Sequence, residues 1–434
     1  MISEMNPLAQ QLNQQIQQGN SHVFELLSEL GKKLYYPKGI LTQSAEAKEK
    51  AHRFNATIGI AIEGDTPMHL SAIQDHLSDY DPKDLYPYAS PAGKPELRQA
   101  WKEKMLLENP ALSGKKISHP VVTNALTHGL SIVSNLFVNA GDTLILPDKL
   151  WGNYNLTFGV FSGANVTTFP FYNEDGGFNT VGLKETLLAQ KEKGKAIVLL
   201  NFPNNPTGYT PTESEAQEIV LAIQEAAESG INLVVVTDDA YFGLFFEDSI
   251  HESLFGRIAG LHPRVLAVKV DGATKEDYVW GFRVGFITFA SSDDQLLKAL
   301  ESKTMGSIRG QISSCSHPSQ TFVLKALQDP GYKTQKQEKF QILKDRANLV
   351  KKILDSGKYE DAFSYYPFNS GYFMCLKLNK VDADILRLHL LDHYGVGTIS
   401  IGATDLRVAF SCVELEDIEE LFALIYQGAK DLEQ

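Results

Sequence analysis

Three short segments of this 434-residue chain carry side chains able to bind and activate a small molecule. Asn201-Phe-Pro-Asn-Asn205-Pro206-Thr207-Gly208 supplies amides, and Thr237-Asp238-Asp239-Ala240-Tyr241 supplies a carboxylate and a phenol. Asp271-Gly-Ala-Thr274-Lys275 supplies an amine, with Arg283 eight positions further on. A lysine can form an imine with an aldehyde cofactor. A carboxylate beside a pyridine nitrogen keeps that nitrogen protonated and makes the ring an electron sink. A phenol and an amide can hydrogen-bond a ring oxygen, and an arginine can grip a phosphate with its planar fork. Singly, each has a plainer reading. A loop lysine is usually a solvated charge, and Asp238 could cap a helix or turn with Asp239 as its competitor. Asn-Pro-Thr-Gly makes a good turn without any ligand.

The elements that must position these groups argue for joint action. Each segment follows a short apolar run: KAIVLL, INLVVV and RVLAVKV, with DTLILPD as a fourth run upstream. Runs of this length, rich in Val, Ile and Leu, predict strands buried on both faces, as in a parallel sheet. TESEAQEIVLAIQEAAESG between two of them predicts a helix, opened by a Thr212/Glu215 capping box and closed by Gly230. Strand, helix, strand is a βαβ unit, so residues 75–320 are expected to form a large α/β domain. Ligands bind beyond the carboxyl ends of strands in such sheets, which brings the three segments to one edge. Together they fit pyridoxal 5′-phosphate.

The last third changes character. FNSGYFMCLKL predicts an alternating strand and DLRVAFSC another. They precede an amphipathic helix with Ile418, Leu421, Phe422, Ile425, Ala429 and Leu432 on its apolar face. Residues 321–434 are expected to form a smaller α+β domain, with residues 1–74 packed beside it. The Gln10 to Gln18 stretch reads as a helix or a frayed arm, and Pro37-Lys38-Gly39 as a turn.

From about Gly64 to Arg407 the chain resembles, motif by motif and in order, the class I/II aminotransferases of the fold-type I pyridoxal-phosphate family. It is nearest in motifs to the aspartate and aromatic branch. The resemblance implies a mostly parallel, seven-stranded type of sheet between helices, and a homodimer with active sites at its interface. It implies that Lys275 is the Schiff-base lysine and later the proton shuttle. Asp238 then pairs with the pyridine nitrogen, and Tyr241 and Asn205 with the ring oxygen. Arg283 holds the phosphate, and Arg407, in DLRVAFS, holds the substrate α-carboxylate. VTNALTHGL precedes an apolar helical pattern, so Leu126 and Thr127 would offer the phosphate backbone N–H groups and a hydroxyl at a helix N-terminus. Trp151, in LWGNY, resembles the aromatic that stacks on the cofactor, although a core role is commoner for tryptophan. Tyr88, or Tyr86 in its place, fits the tyrosine lent to the neighbouring subunit's phosphate. Gly64, Asn205 and Trp151 are expected on the substrate side.

Three departures stand out. Gly272 occupies the place, three before the lysine, where many relatives carry a hydroxyl, and Thr274 is the available substitute. KEDYVWGFR lacks the frequent Pro-Gly before the arginine, and GVGTISIGATDLRVAF is shorter than the common pattern.

The activity implied is ping-pong transfer of an amino group between an L-amino acid and a 2-oxo acid such as 2-oxoglutarate. Arg309, with Ser313 four positions on, resembles the arginine that reaches across a dimer interface to a distal carboxylate. Its plainer reading is a solvated helix end, and aromatic donors stay open. The rival activities are a lyase or decarboxylase on the same scaffold and, from another class, a non-enzymatic ligand-binding regulator.

Composition narrows the partners. Forty Lys and Arg against 53 Asp and Glu leave a net charge of −13, whose mean field repels nucleic acid and anionic membranes. Three scattered cysteines point to a reducing compartment, and the expected location is cytoplasmic. MISEMNPLAQQLNQQIQQGN has no apolar core of a signal peptide. The eleven histidines show no metal spacing, so no metal is expected.

Overall fold

The computed structural model describes residues 5–35, 39–64 and 66–433. The four predicted strands form as Thr143–Pro147, Lys195–Asn201, Asn232–Asp238 and Val265–Gly272. They join Val121–Asn124, Asn165–Phe169 and Val284–Ala290 in a seven-stranded sheet. Only Val284–Ala290 runs antiparallel to its neighbours, Val265–Gly272 and Val121–Asn124. The three unpredicted strands carry weaker signals. One has four residues, one has mostly half-exposed positions, and the third is interrupted by Gly285 and Thr288.

Helix Glu213–Glu228 has the capping box expected of Thr212 and Glu215, and Gly230 lies at φ +106° just past its end. Its alanines and isoleucines bury against the strands, which makes Lys195–Asp238 the βαβ unit read from the sequence. The close-packed centre of the sheet demands glycine at two places. A Cβ on Gly272 would meet Val284 O at 2.5 Å and Gly285 Cα at 2.7 Å, while one on Gly285 would meet the Ala125 carbonyl carbon at 2.7 Å. Gly272 is therefore a packing requirement, and no hydroxyl-bearing side chain fits there.

A second, antiparallel sheet has the order Phe363–Tyr365, Phe373–Leu378, Asp405–Ala409, Ile399–Ile401. The expected alternation of Phe373–Leu378 does not hold, because five of its six residues are buried. The reason is a second layer: the Asn204–Gly208 loop lies against it, with Cys375 Sγ 3.4 Å from Pro206 O. Helix Ile418–Leu432 buries Ile418, Leu421, Phe422, Ile425 and Ala429, whereas Leu432 sits half-buried at its end.

Residues from the N-terminal part touch this second sheet. Phe54–Asn55 pairs in parallel with Val396–Gly397, and Ser400 N donates to Gln43 Oε1 at 2.9 Å. Arg346, from the long helix Tyr332–Asp355, donates to Ile62 O and to Ser411 O, each at 2.8 Å. The Gln-rich start is helical over Pro7–Gly19. Of the expected Pro37-Lys38-Gly39 turn, the first two residues lie outside the described residues. No helix among the described residues is long and apolar enough to cross a membrane.

Candidate active site

A cavity of about 250 Å³ opens at the carboxyl ends of the central strands. Leu126, Thr127, Trp151, Asn205, Asp238, Tyr241, Thr274, Lys275, Arg283 and Arg407 all line it. Ten of the thirteen residues expected from the sequence are thus brought to one space. They come from segments as far apart as 126 and 407.

Lys275 sits on the four-residue helix Ala273–Glu276 that turns out of its strand. Its ammonium lies 5.2 Å from the centre of the Tyr241 ring, and no ion pair holds it among the described residues. Burial pushes the amine down to about 8, with Asp238 pulling it up and Arg283 pressing it further down. An amine lowered in this way is partly unprotonated near neutral pH and can act as a nucleophile or a base.

Asp238 ends its strand with its carboxylate buried. Tyr154 donates its hydroxyl to Oδ2 at 2.7 Å, the Ala240 N–H donates to Oδ1 at 3.2 Å, and Asn201 Nδ2 donates to the Asp238 carbonyl at 2.8 Å. Burial pushes this acid up to about 6, against the Tyr154 bond and Lys275, while Asp239 adds to the rise. A cationic ring nitrogen beside it would reverse that cost. Burial also pushes the Tyr241 phenol up, with Arg407 opposing, so Tyr241 is a neutral donor.

Arg407 is one of the largest fully buried side chains, 1% exposed. Its Nη1 donates to Asn205 Oδ1 at 2.9 Å, its Nη2 donates to Thr57 O at 2.7 Å, and its guanidinium lies 4.2 Å from the Phe373 ring centre. Its Nε has no partner. Two bonds and a ring face fix the fork and leave capacity for a carboxylate.

At the other end, helix Ala125–Phe137 begins beside Arg283, whose carbonyl accepts from Ala125 N at 2.9 Å. Leu126 and Thr127 occupy its first turn, where backbone N–H groups have no partner within the helix. Arg283 sits in the left-handed region at φ 57°. Thr274 is 1% exposed, and its Oγ1 lacks any hydrogen-bond partner. A free helix end, an arginine and an orphaned hydroxyl form a cradle for a phosphate. Trp151 stands edge-on to Tyr154, with ring centres 5.5 Å apart. The residues present fit pyridoxal phosphate.

Three expected residues stand elsewhere. Tyr88 is 94% exposed and Tyr86 82% exposed, both away from the cavity lining. Arg309 is on the surface, where its Nη1 donates to Ser313 Oγ. Gly64, expected on the substrate side, does not line the cavity; its N–H donates to Glu414 Oε1 at 3.0 Å. Gly59 takes that place, where a Cβ would stand 3.5 Å from the Tyr241 hydroxyl. Gly59 is not among the residues expected from the sequence; the packing of the loop brings it, and not Gly64, to the cavity wall.

Sequence reasoning missed Tyr154, Asn201, Trp280 and Phe373. Tyr154 had a signal, since it lies three residues after Trp151 and so close to the same face of a helical turn. Phe373 had none, because nothing in an apolar strand marks which ring will lie under an arginine.

The sequence profile of the family described as aminotransferase class I and II matches residues 65–425. A probable aspartate/prephenate aminotransferase of Aquifex aeolicus is 28% identical over 352 residues, which cover 77% of this chain and 82% of that relative. The aspartate/prephenate aminotransferase of Thermus thermophilus is 31% identical over 242 residues, 55% of this chain and 56% of its own. Among solved structures, an aminotransferase from Anaerococcus prevotii has a TM-score of 0.81 at 23% identity, covering 93% of this chain and 98% of its own.

Proposed function

The chain belongs to the aminotransferase class I and II family, as a pyridoxal-phosphate-dependent transaminase, and from that premise we propose its substrates and the role of each residue. Its donor is an L-amino acid of the aspartate/glutamate or aromatic type, and its acceptor a 2-oxo acid such as 2-oxoglutarate. The aspartate/prephenate names of its relatives support the dicarboxylate side of that choice. The observation that carries the reading is an amine without an ion partner, Lys275, in one cavity with a buried carboxylate and a half-satisfied arginine.

Bound pyridoxal phosphate supplies an aldehyde carbon and an electron-withdrawing ring. Leu126, Thr127, Thr274 and Arg283 hold its phosphate, Asp238 holds its ring nitrogen, and Tyr241 and Asn205 its ring oxygen. Trp151 stacks on it. Arg407 takes the substrate α-carboxylate as a two-pronged pair, oriented by its bonds to Asn205 and Thr57. That grip turns the substrate Cα–H toward the Lys275 amine, which removes the proton and returns it to the other carbon of the exchange. Tyr154 keeps the Asp238 carboxylate from turning.

The working enzyme is a cytoplasmic homodimer in which the exposed Tyr88 reaches the neighbour's phosphate and Arg309 a distal substrate carboxylate. Donors and acceptors are screened with the wild type and with Arg309→Ala, while chromatography gives the mass in solution. Each amino acid alone should release its 2-oxo acid, and Arg309→Ala should lose dicarboxylates selectively. Release of ammonia or carbon dioxide would overturn transamination as the reaction. A monomeric active enzyme would overturn the roles of Tyr88 and Arg309.

A further inference from the structure

Behind the cavity, on the far side of the same strands, lies a second group of charges that the reaction does not touch. Lys269 is 2% exposed, Asp239 4% and Asp271 4%. Lys269 and Asp271 are two apart on one strand and so share a face, and the Thr237↔Lys269 register sets Asp239 beside them. Lys269 Nζ is paired with Asp239 Oδ2 and lies 3.2 Å from Asp271 Oδ2, and its ammonium is 4.9 Å from the centre of the Phe242 ring. Ser253 Oγ donates to Asp239 Oδ2 at 2.6 Å, and Trp101 Nε1 donates to Asp271 Oδ2 at 3.1 Å. Asp271 Oδ1 has no partner. Two carboxylates thus share one ammonium in a buried site, one residue along the backbone from Asp238.

We infer that Lys269 is a positioning residue for the cofactor: by neutralising Asp239 and Asp271 it keeps the neighbouring Asp238 ionised, ready to pair with a protonated ring nitrogen. The inference rests on the role of Asp238 proposed above. The groups facing Asp238 are Tyr154, Lys275, Tyr241, the Ala240 N–H and Asp239. Those facing the triad are Ser253, Trp101, Phe242 and, beside Asp271, Glu276 with its partner Lys104. Of these, Asp239 is the negative neighbour that disfavours ionisation of Asp238, and Lys269 is the cation in contact with it. Without that cation the three carboxylates become one acidic cluster in a low dielectric, and full ionisation is postponed to higher pH. The direction follows. Wild-type affinity for the cofactor falls on the acid side as Asp238 is protonated, and loss of Lys269 moves that acid limb upward.

The test measures the dissociation constant of pyridoxal phosphate, by fluorescence, and the visible absorbance of the loaded enzyme, each from pH 5 to 9, with circular dichroism as the check of folding. Lys269→Met should move the acid limb up by about one pH unit, which weakens binding about tenfold near pH 5 and only about twofold at pH 7. Lys269→Arg should restore the wild-type limb. Asp239→Asn, in which Lys269 still pairs with Asp271, should move the limb the opposite way, and it supplies the answer if Lys269→Met does not fold. The double variant Lys269→Met/Asp239→Asn should return toward wild type. An unmoved limb in folded Lys269→Met, or a downward shift missing from Asp239→Asn, overturns the inference. Asp238→Asn separates the two ideas. If it binds cofactor like the wild type, the reading of Asp238 fails; if it binds poorly while the Lys269 and Asp239 variants leave the limb unmoved, only this inference fails.

Discussion

Lys275 and Glu276 are neighbours in sequence and face different worlds, and the same is true of Asp238 and Asp239. The cavity side receives Lys275 without an ion partner, Thr274 Oγ1 without a hydrogen bond and Arg407 with its Nε free. On the reverse side Glu276 is held by Lys104 and, at 2.9 Å, by Lys336, while Asp239 is held by Lys269. Burying an unpaired charge costs several kcal/mol, whereas a paired and hydrogen-bonded one roughly breaks even. A buried amine without an ion partner is therefore tolerated where a ligand completes it. Among the described residues, the reverse side leaves single polar atoms such as Asp271 Oδ1 unpaired but no whole charge. Space alone is a poor guide. The groove over the reverse side, with Glu276 and Lys336 in its wall, holds about 1590 Å³, far more than the 250 Å³ cavity.

The sharpest way to break this contrast is to remove one member from each side. Lys275→Ala should lower turnover by at least ~10³-fold while leaving the thermal midpoint near wild type, because the amine has no structural partner to lose. Steady-state rates and a melting curve check both halves, and a wild-type rate would refute the assignment. Arg407→Ala should weaken amino-acid recognition by about 2–5 kcal/mol in kcat/KM across all donors alike, since every donor has an α-carboxylate. Lys104→Met on the reverse side should do the converse. It should cost about 3 kcal/mol of stability, the low end for breaking a buried ion pair because Lys336 remains, and leave KM for the amino acid unchanged. Denaturant titration measures it. The smallest effect is Tyr154→Phe, which removes one bond to a carboxylate and should cost about 1.5–3 kcal/mol in cofactor binding.

The contrast also has a pH form. Because the Lys275 amine is pushed down to about 8, capture of pyridoxal phosphate by the apoenzyme should speed up as pH rises through that value and level off above it. An ordinary lysine would still be accelerating two units higher. Stopped-flow absorbance distinguishes the two curves.

Much of this was legible in the chain. Runs such as INLVVV name their own structure, because β-branched residues buried on both faces have few other homes. The residues after them are placed by topology alone, since parallel strands joined by right-handed crossovers deliver their carboxyl ends to one edge. Lys275, Asp238, Tyr241 and Asn205 needed nothing more than that rule and an order. Other positions were illegible for definite reasons. Gly64, expected at the substrate, lies off the cavity and Gly59 lines it, because only the packed loop decides which glycine faces inward. The alternation expected in Phe373–Leu378 failed because a loop from another part of the chain covers its second face. Gly272, a gap in the phosphate cradle when read as sequence, became a necessity once Val284 O stood 2.5 Å from its missing Cβ.

The sequence by itself determined which chemical groups the protein owns, which strand end each one follows, and the net charge of −13 that surrounds them. These are local or additive properties, and a one-dimensional string carries them in full. Only the tertiary structure decided that Asp239, next to the carboxylate that meets the cavity, meets a buried lysine instead. That choice depends on the pleat of one strand and the register of the next, where a shift of a single residue exchanges the two faces. The same register leaves one lysine of the strand and its following turn bound in a triad and the other free to react.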